Sequence, residues 1–459
     1  MDVMQKLVKN IFSTQFESLP SEAILAAKKG IADTIGGMIA GSSVEGCQLL
    51  VEHIREWGGH QESTIVVFGD KVPSNLAAQA NGAMARALEI DDVTDFFPMH
   101  PSASIVPTCL AIAERQGKIS GKEFIAAVAL AQDLFIRMAL ANKLDPIASG
   151  RYNLFKIFPP TGAAAKLLGL DEEGLMNAMG IAFSQMVGDG QAAGDGVMTS
   201  YIQQGTVAKS AIESALLAKA GITGTRNVLE GQRGFYNAFE PDPNLEALTS
   251  DLGRKFMGVE IAVKFYTACR ATHEAIDLAL DMTGQLKIDP KSIEEISVHV
   301  NDPVYSLVCH PPDRKRHPET LVDAQFSIPF AVAAAIFRGD FFIDEINDQT
   351  INDPEILGLA AKVTPVVDNG CQSELIIGST IMEIKTKNGK AFTKEIQFPR
   401  GNPKNPVAMN EVIEKFRKCT NYSLRSFSKE HINKIIEILS NLEQLENITM
   451  LTKLLAPKA

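Results

Sequence analysis

Alanine-rich runs with helical spacing recur through roughly the first 285 residues, and they leave such a chain few folds to choose from. The stretch "LPSEAILAAKKGIADTIGGMIAG" opens with Pro20 and Ser21 as a stop-and-cap pair. It places Ile24, Ala27, Ile31, Ile35 and Met38 on one face and closes at Gly41. "NLAAQANGAMARALEI", "GKEFIAAVALAQDLFIRMALANKL" and "TVAKSAIESALLAKAGITG" share the pattern. Side chains this small let helix axes approach closely, as the inner helices of a large bundle must. After about residue 290 the period changes. "IEEISVHVND" alternates Ile296, Val298 and Val300 against polar neighbours, and "IMEIKTKNGKAFTKEI" holds two alternating runs joined at Asn388-Gly389, a two-residue hairpin turn. "AQFSIPFAVAAAIFRGD" between them reads as a buried helix, and the tail "HINKIIEILSNLEQL" stripes Ile432, Ile435, Ile436, Leu439 and Leu442 along one more. The expectation is a mainly α protein. A helical domain is built from 1–267 and 399–459, and a smaller α+β domain spans 268–398.

At 459 residues the chain exceeds one ordinary core, which fits that division. A net charge of −11 argues against nucleic acid or an anionic membrane as partner, and leaves room for a small acidic substrate in a local basic pocket. Six scattered cysteines form no CxxC pair, so no disulfide framework or metal site is expected. The N-terminus lacks a signal-peptide pattern, and no stretch reads as 18 consecutive apolar residues. The expectation is a cytoplasmic protein without a membrane span.

Chemistry gathers in two places. "LEIDDVTDFFPMHPS" carries Glu89, Asp91, Asp92 and Asp95 ahead of His100, with Pro98 and Pro101 breaking the helix. A helix running to about Asp92 would put Glu89 and Asp92 on one face, one turn apart. An imidazole beside carboxylates is suited to general acid/base work; solvated acids at a helix end are the plain alternative. The second place is "AVKFYTACRATHEAIDLAL", with Lys264, Tyr266, Arg270 and His273 at the change from helical to α+β sequence. "GRYNLFKIFPPTG" adds Arg151, Tyr152 and Lys156, and "CHPPDRKRHPET" adds a basic loop; each reads equally as an anion rim or a solvated surface. "GDGQAAG" from Gly188 satisfies G-x-G-x-x-A, but helical sequence precedes it, so it reads as a flexible loop rather than a nucleotide fingerprint.

Seven blocks in order, among them "GIADTIGGMIAG", "NGAMARALEIDD", "HPSASIVPTCLAIAE", "VLEGQRGF" and "VKFYTACRATHEAIDLAL", resemble the MmgE/PrpD family over nearly the whole chain. That family includes 2-methylcitrate dehydratase, cis-aconitate decarboxylase and iminodisuccinate epimerase. The resemblance implies a helical domain made from both chain ends, an inserted α+β lid and a homodimer. It also implies an active site between the domains that needs no metal or nucleotide cofactor. His100 matches the family's active-site histidine, Asp91 and Asp92 its paired aspartates, Lys264 its lysine, and His273 its Thr-His.

The expected catalytic set is thus His100 as acid/base, Asp92 holding its tautomer, and Lys264 stabilising negative charge. Glu89, Asp91, Ser102, Arg151, Tyr152, Arg270 and His273 line the substrate site. The chain departs from the family at Arg86, at Ser200 and Gln203 where a lysine and a histidine are usual, at Thr267, and at Phe330 in place of a tyrosine. The expected activity is a cofactor-independent lyase, a dehydratase or decarboxylase, that takes a proton beside a carboxylate of a small polycarboxylate. An epimerase, or a binding protein that has lost catalysis, is the alternative. The departures predict that tricarboxylates such as cis-aconitate are poor substrates.

Overall fold

The computed structural model describes residues 2–96, 99–143, 150, 154–240, 242–373 and 376–457. The chain is mainly α-helical and divides into two compact units. One comprises Met1–Asp92, His100–Ile261 and Ala408–Ala459, and the other Val93–Met99 and Ala262–Val407.

In the helical unit, small residues set the packing. The Ser74–Arg86 helix lies against both Ser21–Gly41 and Thr199–Lys219. A Cβ on Gly205 would stand 2.0 Å from the Gln79 carbonyl oxygen, and one on Gly82 would stand 2.9 Å from the Gly205 Cα. A Cβ on Gly41 would meet the Met84 carbonyl oxygen at 2.0 Å. At these crossings backbone touches backbone, and only glycine fits. The Gly121–Ala141 helix starts with a Ser120/Glu123 capping box. By length and composition it could cross a membrane, contrary to the sequence expectation. However, 94% of its apolar window is buried within the protein, as for a core helix. From the far end of the chain, the Met409–Thr420 helix packs on Ser21–Gly41, where Lys415 Nζ meets Asp33 Oδ1 at 2.5 Å. The Lys429–Ser440 helix buries Ile435 and Leu439 of the expected stripe.

The α+β unit holds a four-stranded sheet in the order Val363–Val367, Ile293–Val300, Thr380–Thr386, Ala391–Ile396. The first pair is parallel, with Ile296 opposite Val363, and the others are antiparallel. The inward residues Ile296, Val298, Val300, Met382 and Ile384 share one core with the His273–Leu286 and Ile328–Arg338 helices.

Three local expectations are corrected. The hairpin is not a two-residue Asn-Gly turn. Gly389 N–H donates to Thr386 O at 2.8 Å, and Gly389 alone takes a positive φ of 81°, so Lys387 and Asn388 are the turn centre and Gly389 forms the bulge. Asn388 Oδ1, accepting from the Thr386 hydroxyl at 2.7 Å, favours that form. The supposedly all-helical first part contains a short antiparallel ribbon, Ser63–Thr64 with Lys71–Val72. The helix before the acidic segment ends at Arg86, not near Asp92. Glu89 turns left-handed at φ 56° and folds back to pair with Arg86, so Glu89 and Asp92 do not share a helical face.

Replacing Gly205 by alanine pushes a methyl into the Gln79 carbonyl. It is expected to cost about 1–3 kcal/mol, read as a lower denaturation midpoint with an unchanged m-value.

Candidate active site

The site of the helical unit is assembled where the Ser74–Arg86 helix stops. Arg86 pairs with Glu89 and reaches Asp91 Oδ1 at 3.4 Å. The other Asp91 oxygen, Oδ2, lies 3.1 Å from His100 Nδ1, and the Asp92 main-chain carbonyl lies 3.1 Å from the same nitrogen. With two acceptors facing it, Nδ1 carries the proton. Nε2 therefore holds the lone pair, with no hydrogen-bond partner among the described residues. Burial, followed by the nearby Arg86 charge, pushes the imidazole below its ordinary pKa against the opposing pull of Asp91. His100 is thus a neutral, oriented base at pH 7.

Asp92 does not hold that tautomer with its side chain, as the sequence led us to expect. Its carboxyl turns away and accepts the Ser102 main-chain N–H at 3.0 Å, at the start of the Ser102–Gln116 helix. Burial, with Asp33 and Asp91 nearby, pushes it up to about 8, so it is a neutral acid at pH 7. Ser102 likewise turns inward, its hydroxyl accepting from Gln132 Nε2 at 2.9 Å. Gly30 makes room for this network, because a Cβ there would stand 2.5 Å from Gln132 Nε2. Asp92 and Ser102 together staple the two ends of the segment that carries His100. Gln132 was missed by sequence reasoning, although a Gln-Asp pair inside the apolar Gly121–Ala141 run was a visible signal.

The α+β unit gives several expected substrate contacts a different task. Arg270 grips Asp95 with two bonds, Nε to Oδ1 at 2.7 Å and Nη2 to Oδ2 at 3.0 Å, and also donates to the Arg400 carbonyl at 3.2 Å. Asn402 adds a bond to Asp95 Oδ2 at 2.5 Å. The Arg270 charge is therefore matched internally. His273 is fully buried, with Nε2 3.3 Å from the Ala268 carbonyl, Nδ1 3.4 Å from Arg270, and its ring centroid 5.0 Å from that of Tyr266. Both nitrogens serve the fold. Lys264 is buried just beyond the Val93–Ala262 bridge, which joins the 93–99 segment to this unit. Phe330 lies in the core of the Ile328–Arg338 helix. Arg151 and Tyr152 lie outside the described residues.

Two residues gain weight. Lys156, on the Leu154–Ile157 turn, is buried, and burial with the Arg86 charge brings its amine down to about 7. Gln203 clasps the 188–190 loop, accepting from the Asp189 N–H at 3.0 Å and donating to the Asp189 carbonyl at 3.2 Å. In the glycine match itself, a helix (Glu172–Phe183) precedes and one helical turn (Gln191–Gly194) follows. The strand that a dinucleotide fingerprint needs does not precede it.

Asp92→Asn mimics the neutral acid and tests this electrostatic account. A carboxyl whose folded pKa is raised contributes stability that is lost as pH rises from about 4 toward 8. The melting temperature of the wild type should therefore fall relative to the variant between pH 6 and pH 9. A constant difference across that range would contradict a buried neutral Asp92.

Comparison with known proteins agrees with this layout. A family model described as the MmgE/PrpD N-terminal domain matches residues 5–248, and one for the MmgE/PrpD C-terminal domain matches residues 266–443. Cis-aconitate decarboxylase of Homo sapiens is 25% identical, covering 99% of this chain and 95% of that protein. Cis-aconitate decarboxylase of Aspergillus terreus is 25% identical over 96% and 93% respectively. The cis-aconitate decarboxylase-like protein oryM of Aspergillus oryzae is 24% identical over 95% and 94%. With both family models matched along nearly its full length, the chain belongs to the MmgE/PrpD family.

Proposed function

We propose that this protein is a lyase, a decarboxylase or dehydratase, that moves a proton next to a carboxylate of a small acid carrying more than one carboxyl group. The observation that carries the reading is the neutral His100, fixed through Nδ1 by Asp91 and the Asp92 carbonyl, with Nε2 left as the base. Full-length similarity to cis-aconitate decarboxylases supports the reaction class. In the proposed cycle Nε2 takes the proton from carbon, and Asp91 stabilises the resulting imidazolium. Lys264 offsets charge on the enediolate-like intermediate, and the imidazolium returns its proton to product or leaving group. The reading includes a homodimer in the cytoplasm, an α+β unit acting as a lid, and chemistry that needs no metal or nucleotide.

Solvent deuterium exchange across C4 to C7 polycarboxylates tests the core of this reading. Exchange in the wild type should drop by about 10²–10⁴-fold in His100→Asn, the usual contribution of a positioned acid/base. The rate should also fall only as pH drops below the ordinary histidine value of about 6.5, because the folded pKa is lowered and protonation removes the base. Exchange that survives the substitution unchanged would end the assignment.

The substrate reading follows from Ser200, Gln203 and Phe330. Gln203 is engaged with Asp189 and Phe330 lies in the core, so neither supplies a cation or hydroxyl to a third carboxylate. Turnover of cis-aconitate and 2-methylcitrate is expected below about 1 per second, and an acid with fewer or differently placed carboxylates should turn over faster. Steady-state assays on both tricarboxylates decide this.

A further inference from the structure

We propose that Lys156 is a substrate-binding residue of the helical unit's site, holding a carboxylate of the acid and gaining a proton as the acid binds. This rests on the functional reading above, which it extends by naming the group that selects the substrate. The family resemblance marks no lysine at this position.

Lys156 is placed by the Leu154–Ile157 turn, which packs against the Phe158–Leu167 and Thr199–Lys219 helices. Two charges act on its amine from opposite directions: Arg86, at the end of its helix, disfavours the ammonium, and Asp189 favours it. The packed helices add little else. Near its start, Thr199–Lys219 carries Ser200, Tyr201, Gln203 and Gln204, and the one charged residue of Phe158–Leu167, Lys166, is bound to the carbonyls of Ile11 and Thr14.

Arg86 is the link to chemistry. It pairs with Glu89 and Asp91, and its charge also reaches His100, so Lys156 and His100 share one neighbour. Asp189, in turn, is not loosely placed. Gln203 holds its main chain on both sides, and its own Oδ1 accepts the Ala192 N–H at 2.8 Å. Gln203, which occupies the position of a family histidine, thus acts as a positioning residue for the carboxylate that acts on Lys156. Asp189 is exposed while Lys156 is buried, so the amine lies beneath a solvent-facing, glycine-rich loop.

In this setting the amine is divided between its neutral and charged forms near neutral pH. A substrate carboxylate brought near adds a second negative charge beside Asp189 and draws a proton onto Nζ from solvent. No bond to carbon forms or breaks at Lys156; the step is ion pairing with one proton taken up. An anion is therefore accepted only where it can complete that pairing, which is a selection on where its carboxylate stands.

Calorimetric titration of the full protein with succinate and with cis-aconitate, at pH 7.5 in phosphate and in Tris, reads the proton directly. Roughly half a proton per bound acid should be taken up by the wild type and by His100→Asn. Lys156→Arg should bind with no uptake. Lys156→Met should raise KM by about tenfold to a hundredfold while kcat changes little, with arginine restoring KM in part. A merely structural lysine would instead lower the melting temperature and kcat together and leave proton uptake in place. Binding of both acids without uptake, uptake that persists in the lysine variants, or no binding of either acid overturns the inference. Should the methionine variant not fold, the wild-type and arginine titrations still decide. Failure of deuterium exchange across the whole acid panel would instead overturn the parent reading.

Discussion

One buried ion pair ties the site to both ends of the chain. Lys415 sits 2.5 Å from Asp33 and 2.5 Å from the Ile90 carbonyl, and all three groups are removed from water. Asp33 belongs to the Ser21–Gly41 helix, Lys415 to the Met409–Thr420 helix, and Ile90 immediately precedes Asp91. An ammonium in that position adds little net stability, because its desolvation offsets much of the attraction. What it contributes is geometry: with Ile90 held, the Asp91 carboxylate has one place to go, and that place is His100.

The same pair shapes the charges nearby. Asp33, Asp91 and Asp92 lie close together with almost no water between them. Asp33 has Lys415, and Asp91 has Arg86 and His100. Asp92 is left as the carboxyl that stays protonated, and accordingly it takes a main-chain N–H instead of an ion. Two adjacent aspartates thus divide into an ionised partner for the imidazole and a neutral staple. The difference arises from environment, since the residues are chemically identical.

Much of the architecture was legible because it is written locally. The apolar stripe on Ser21–Gly41, the Ser120/Glu123 box, the alternation at Ile296, Val298 and Val300, and the glycine of the hairpin each depend on residues a few positions apart. The site was legible in its residues more than in their roles. His100 with Asp91 could be anticipated, but the division of labour between Asp91 and Asp92 turns on Asp33 and Lys415, far away in sequence. Arg270 reads as a free cation until Asp95, 175 positions earlier, is seen in its grip. Glu89 reads as helical until the Arg86 pair and its left-handed backbone show the helix has already ended.

The glycine crossing of Ser74–Arg86 with Thr199–Lys219 bears on how such a protein can change over time. Gly82 lies one turn before Arg86, and Gly205 lies just after Ser200 and Gln203. The positions at which this chain differs from its family are therefore anchored by a crossing that tolerates no added atom, while they themselves can be exchanged. A backbone locked at one point can vary its side chains nearby without losing alignment. Substrate preference in this fold is thus open to drift through single substitutions, with the scaffold that orients them left intact.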